Sequence, residues 1–237
     1  MKQLHITFLL TLLISMISIE ATAHDIEVAN SDGMTIYYRW ANNYTELSVS
    51  YRGDDISSYS NEYTGSVVIP DTVTYNGSIY SVTSIGGKAF YYCTGLTSVT
   101  IPNSVTSIGG SAFLGCTGLT SVTIGNSVTS IGGSAFSGCT GLTSVTIPNS
   151  VTSIYNSAFS GTGIYANSPD GVFYVDKWAC GYKGTMPSNT AISLKGGTVG
   201  IAGDAFSGFN NLTSVNIPNS VTSIGSYAFR DCDLGYK

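Results

Sequence analysis

Six phenylalanines set a period. Phe90, Phe113, Phe136 and Phe159 stand 23 residues apart, and each follows an alanine. Phe206 comes 47 residues later and Phe229 another 23 after that. Self-similarity at an interval of roughly 20–50 residues is the mark of a stacked-repeat architecture. One unit reads VTSIGGSAFLGCTGLTSVTIGNS, from Val105 to Ser127. Its apolar or small positions are Val105, Ile108, Ala112, Phe113, Cys116, Leu119, Val122 and Ile124. Eight such residues in one turn cannot enclose a core. Stacked turns can, because each covers the apolar face of its neighbour. Val122-Thr123-Ile124 alternates as a strand does. Gly109-Gly110 breaks the chain before Ser-Ala-Phe, and Pro102 and Pro148 close their strands where no ladder bond is lost. Ser111 to Cys116 is expected to form a short helical or 3₁₀ turn on the outer side, since it is too short for a full helix.

Between the apolar strand residues lie hydroxyls: Thr97, Ser98 and Thr100, then Thr120, Ser121 and Thr123, then Thr143, Ser144 and Thr146. The pattern resumes at Thr213, Ser214 and Asn216. Threonine suits a strand for its own sake, so a wet structural face is one reading. A flat uncharged binding face is the other.

Two segments depart from the repeat. Residues 24–81 carry short strand patterns (DGMTIYYRW, TELSVSY, GSVVIP), with Asn76-Gly77 between β-rich runs as a type I′ hairpin signal. This segment is expected to form an antiparallel β cap over the first edge of a solenoid that runs from 82 to 237. Such a cap guards an edge that would otherwise invite pairing. A degenerate unit spans 163–197. Within it GVFYVDKWACGYKG reads as a hairpin or outward loop, while Ile192 and Leu194 hold the strand positions. Phe173, Tyr174, Trp178 and Tyr182 form a candidate aromatic loop there. Aromatic residues are favoured at recognition sites, although filling the core of an irregular turn is the simpler use for them.

The first residues place Lys2 before an apolar run from Ile6 to Ile19, followed by Ala21-Thr22-Ala23. This is the layout of a secretory signal peptide, residues 1–23, cleaved after Ala23. No other apolar stretch is long enough to span a bilayer, so an exported chain, secreted or at the cell surface, is expected.

Little in the chain can do acid–base chemistry. The two histidines are His5 and His24, outside the repeats, which removes the usual Ser-His and Cys-His arrangements. From Thr72 to Pro169 Lys88 is the sole charged residue, so paired carboxylates are missing from that stretch. No spacing of Asp, Cys and His suits calcium or zinc. The expectation is no enzyme, no metal and no cofactor. The net charge of −5 gives no general attraction to nucleic acid. Of the five cysteines, Cys93, Cys116, Cys139 and Cys232 share one repeat position, three after the phenylalanine. Export favours disulfides, and neighbouring turns are close enough for one. But the number is odd, and Thr162 and Phe209 hold the same position elsewhere. Buried free thiols acting as small hydrophobes are the preferred reading.

The full pattern V-T-S-I-G-x-x-A-F-x-x-C-x-x-L-x-S-V-x-I-P-x-S resembles the BspA-like class of leucine-rich repeats, over about Val82 to Lys237. The resemblance implies a β-rich leucine-rich repeat solenoid with a parallel sheet. It also implies a secreted or surface-displayed protein, of a class found mostly in bacteria and also in protists, in which several members are implicated in adhesion to host proteins or to other cells. The expected function is non-catalytic binding of a protein partner, such as a host matrix or cell-surface protein, with glycan as a further possibility. The alternative is a structural scaffold that self-associates through its C-terminal edge.

Overall fold

The computed structural model describes residues 24–52 and 62–235. The segment expected to be a signal peptide lies outside these residues. Among the described residues no helix is long and apolar enough to cross a membrane.

The chain opens with an antiparallel meander of β1 (Ile26–Ala29), β2 (Thr35–Ala41) and β3 (Glu46–Ser50). Strand β3 then pairs in parallel with β6 (Ser78–Ile85), setting Leu47 against Val82 and Val49 against Ile85. Strand β5 (Thr72–Tyr75) folds back on β6 through Asn76 and Gly77, which have φ of 49° and 77°. Both central residues lie in the left-handed region, as a type I′ turn requires. Strand β4 (Gly65–Val68) pairs in parallel with β7 (Leu96–Thr100). The N-terminal segment is therefore continuous with the solenoid sheets that follow.

Each regular turn contributes three rows of backbone bonds to its neighbours. The first is a two-residue rung at Ser-Ile: the end of β6, then β8 (Ser107–Ile108), β10 (Ser130–Ile131) and β11 (Ser153–Ile154), all parallel and in register. The second is the Thr-Ser-Val-Thr row, where β7 pairs with β9 (Ser121–Thr123). The third lies in the Ala-Phe segment, where a short helical or 3₁₀ turn is expected. Ser111, Phe113 and Gly115 donate to the carbonyls of Gly133, Ala135 and Ser137 of the next turn at 2.7–2.8 Å. Ser134, Phe136 and Gly138 donate to Asn156, Ala158 and Ser160 in the same way.

This third row explains why the segment keeps single 3₁₀-type bonds and forms no longer helix. Leu114 N–H reaches Ser111 O and Cys116 N–H reaches Phe113 O, which are 3₁₀-type bonds. Yet Ser111 and Gly115 have φ of 55° and 74°. Two left-handed residues four apart forbid a run of helical dihedrals. They also turn alternate N–H groups outward along the stack. The same inversion recurs at Lys88, Ser134, Ser157, Asp204 and Tyr227. A left-handed non-glycine residue costs on the order of 1 kcal/mol or more, and at Lys88, Ser111, Ser134 and Asp204 a cross-turn bond offsets it.

All the predicted inward positions of the Val105–Ser127 unit are buried except Val122, which is half-buried. The phenylalanines form a column. Phe90, Phe113, Phe136 and Phe159 stack with centroids 4.7, 5.0 and 5.3 Å apart and planes within 11°. Close approach at the start of each turn explains a glycine: a Cβ on Gly109 would come 2.5 Å from the backbone nitrogen of Gly87. Tyr63 covers the first ring of the column at 4.5 Å. Its hydroxyl donates to Ser50 O and accepts from Tyr37 N–H. Beside it, both carboxylate oxygens of Glu62 accept from Arg52 N–H.

The column breaks after Phe159. Thr162, in the cysteine position, turns its hydroxyl to Phe159 O and caps α1 (Gly163–Asn167) by accepting from Tyr165 N–H. A hairpin follows, β12 (Gly171–Val175) with β13 (Trp178–Lys183). Strand β13 supplies the Ser-Ile rung for the next unit, setting Trp178 against Gly200 and Ala179 against Ile201 of β15 (Gly200–Ile201). Strand β14 (Thr190–Ser193) pairs with β16 (Leu212–Asn216), which buries Ile192 and Leu194. Strand β15 pairs with β17 (Ser223–Ile224), and Phe206 stacks on Phe229 at 5.4 Å.

Two outcomes follow. Phe136→Ala empties the middle of the column and is expected to cost about 3–5 kcal/mol, read as a lower midpoint in chemical denaturation. Burial raises the Glu62 carboxyl from 4.5 to about 7. The folded protein thus keeps a proton that the unfolded chain releases between those two values. This contribution to stability is present at pH 4.5 and is lost as pH rises through 7. Glu62→Gln should therefore raise the thermal midpoint at pH 8 and leave it nearly unchanged at pH 4.5.

Candidate functional site

The hydroxyl face is present in the first part of the stack. Thr97, Thr100, Thr120, Ser121, Thr123, Thr143, Ser144 and Thr146 are exposed, and Ser98 is half-buried. Register aligns Ser98 with Ser121 and Thr100 with Thr123. The row extends one rung further than the repeat count showed: Ser66 of β4 pairs with Ser98, and the two hydroxyls bond at 2.7 Å. Some hydroxyls are used within the fold, as where Thr120 donates to Thr97 O at 3.1 Å. The side chains of Thr100, Ser121, Thr123, Thr143, Ser144 and Thr146 make no hydrogen bond among the described residues.

The face is not continuous. Thr143 to Thr146 lie outside any strand, and α1 with the hairpin follows where the next rung would be. Hence Thr213, Ser214 and Asn216 sit on β16 against β14, in a separate two-stranded sheet. A second hydroxyl row also went unnoticed in the sequence. Thr106, Thr129 and Thr152 each donate to the carbonyl one turn earlier, at 3.1–3.2 Å. Its signal was the Thr of every VTSI motif.

The aromatic loop divides by burial. Phe173 and Trp178 are 3% and 2% exposed, so they fill the core of the irregular unit, and Phe173 also reaches the floor of the pocket described below. Tyr174 and Tyr182 are half-buried. Tyr174 lies under the Lys195 ammonium at 4.4 Å, and its hydroxyl accepts from Lys195 N–H. Tyr182 packs on Phe209 at 5.6 Å. Lys183 fastens the unit by donating to Tyr165 O, Ala166 O and Ser168 O at the end of α1. Asp176, in the hairpin turn, accepts from Ile147 N–H.

A pocket of about 200 Å³ opens at this break. Its walls are the turns of Phe159 and of Asp204-Ala205, and its floor is Phe173, Gly181 and Tyr182. Asp204 Oδ1 is buried there without a hydrogen bond, with Arg230 Nη2 at 3.8 Å. Among the described residues no three His, Cys, Asp or Glu side chains gather as metal ligands would.

A profile of the BspA type leucine rich repeat region matches residues 55–179 and 182–236, in six copies. The chain belongs to this family. Solved structures agree. A leucine-rich repeat protein from Bacteroides ovatus is 29% identical over 81% of this chain and 42% of its own, with a TM-score of 0.51. A leucine rich cell surface protein from Faecalibacterium prausnitzii is also 29% identical, over 88% of this chain and 47% of its own, with a TM-score of 0.50. The Treponema pallidum leucine rich repeat protein is 25% identical over 84% of this chain and 87% of its own, at 0.50. The chain thus spans less than half the length of the first two. No curated protein matches it.

In this BspA-type repeat the cysteine position has a defined use. Cys116 donates its S–H to Phe90 O at 2.9 Å, and Cys139 to Phe113 O at 3.0 Å. Cys232 repeats the contact with Phe206 O. All five thiols are unbridged. The neighbouring Cys139 thiol and burial together hold the Cys116 thiol far above its ordinary range. Burial pushes Cys180 up to about 12. Thiolate is the reactive form, so these groups should be inert in the native protein. Maleimide labelling followed by mass measurement should leave Cys93, Cys116 and Cys139 unmodified at neutral pH and modify all five cysteines in denaturant. A single reactive thiol in denaturant would establish bridging instead.

Proposed function

We propose that this protein is exported and acts as a non-catalytic binding module at or outside the cell surface. Its partner is a protein, such as a host matrix or cell-surface protein, and the first hydroxyl face is the contact surface. The observation that carries the reading is that face itself: parallel, uncharged hydroxyls from Ser66 to Thr146, many unused within the fold. Their rigid spacing keeps the entropic cost of ordering on binding low. The leader pattern in residues 1–23 supports export. The description of the F. prausnitzii relative as a cell surface protein supports the location.

Surface plasmon resonance of the mature chain against immobilised matrix proteins and against intact cells tests the reading. Thr123→Arg and Thr146→Arg put bulky charges on the face at exposed positions. Each is expected to weaken capture about tenfold, near 1.4 kcal/mol, with an unchanged thermal midpoint. Equal capture by wild type and the double variant would overturn the assignment of the face.

A further inference from the structure

The row of outward N–H groups that joins each Ala-Phe turn to the next is interrupted once inside the stack. Residues 88, 90 and 92 donate to 110, 112 and 114, and the pattern holds for two further turns. It resumes where Asp204, Phe206 and Gly208 donate to Ser226, Ala228 and Arg230. Between these runs, the N–H groups of Ser157, Phe159 and Gly161 have no hydrogen-bond partner among the described residues. Nor have the carbonyls of Gly203, Ala205 and Ser207. These are the same positions of the repeat, facing each other across the irregular unit. The turn that would join them is absent because Thr162 starts α1 and β13 continues past Gly181 as a hairpin strand, paired with β12.

The two lips are held close. Gly203 N–H donates to Ile154 O at 2.9 Å, and Ser223 Oγ donates to Thr152 O. Past that point the walls part, and the pocket lies between them. The same turn gains exposure: Ser157, Ser160 and Gly161 are exposed, whereas Ser134, Ser137 and Gly138 are half-covered by their neighbour. Gly181 offers no side chain to the floor, and Phe159, Phe173, Tyr182 and Phe209 supply apolar surface.

We propose that this notch is a peptide-binding slot, taking a linear segment of a partner protein that supplies the missing row of backbone bonds. The chemistry favours main chain over a small molecule. Donors stand on one lip at every second residue, and acceptors stand on the other at the same interval. Only a polypeptide offers carbonyls and N–H groups in that alternation. The segment runs parallel to the repeat turns, as every neighbouring row does. Its carbonyls at alternate residues accept from Ser157, Phe159 and Gly161. Its N–H groups at the intervening residues donate to Gly203, Ala205 and Ser207. A large apolar side chain, of the kind the repeat itself places beside phenylalanine, enters over Gly181. The slot rests on the reading of the protein as a binding module and locates a second contact on it, separate from the hydroxyl face.

The probe is a displayed library of random linear peptides, selected on the mature chain and resynthesised for titration. Selected peptides should share one large apolar residue and, on binding, slow hydrogen exchange at the amides of Ser157, Phe159 and Gly161. N-methylation at one set of alternate residues should weaken binding about tenfold or more, and methylation at the other set should not. Ser160→Arg, at an exposed position on the rim, should abolish peptide binding while leaving capture by matrix protein or cells intact. Thr123→Arg should do the reverse, so the two surfaces fail separately. The slot is refuted if no peptide is selected, if bound peptides leave the three amides unprotected, or if both methylation sets act alike.

Discussion

No turn of this chain has an inside of its own. Its buried face exists only when the next turn lies against it, about 4.8 Å away, and every other feature is a way of holding that spacing. The Ser-Ile rung and the Thr-Ser-Val-Thr row do so with ordinary parallel pairing. The Ala-Phe turn does so with left-handed serines that aim N–H groups along the stack. Phenylalanine rings at near 5 Å, nearly parallel, fit the same rise. The cysteine S–H reaching back to a phenylalanine carbonyl adds a fourth tie. A side chain changed at one position is thus felt by two neighbours.

The irregular unit shows how the rule is broken without losing the stack. Thr162 looks like a conservative replacement for cysteine, yet its hydroxyl bonds its own turn rather than the one before. That frees it to cap a helix. Strand β13 then supplies one rung, and β14 another, while the Ala-Phe row is left open. The aromatics of this unit divide between these tasks: Phe173 and Trp178 replace lost core, and Tyr182 borders the opening.

Much of the architecture was legible because it depends on short-range pattern. The 23-residue period, the inward positions, the Asn76-Gly77 turn and the hairpin near Trp178 all follow from spacing and turn chemistry. The conformation of the Ala-Phe segment did not. Serine has no local preference for φ near 55°; Ser111 and Ser134 hold it with an N–H bonded to a carbonyl one turn away, and Ser157 keeps it with the repeat although its N–H has no such bond. For the same reason the sequence placed the hydroxyl triplets on one face. The 47-residue interval preserves register, but it says nothing about α1 taking the place of a strand. The unpaired groups at Ser157 and Gly203 are 46 residues apart, and no local window contains both.

The break after Phe159 also divides the molecule as a material. In a stack where each unit couples only to its neighbours, cooperativity is transmitted interface by interface. Four phenylalanines behind Tyr63 share one unbroken column, whereas Phe206 and Phe229 belong to another, joined to the first through the irregular unit. The seam between them carries the packed irregular unit but lacks the Ala-Phe row of backbone bonds, so a tether pulled at its far end should part there before the phenylalanine column does.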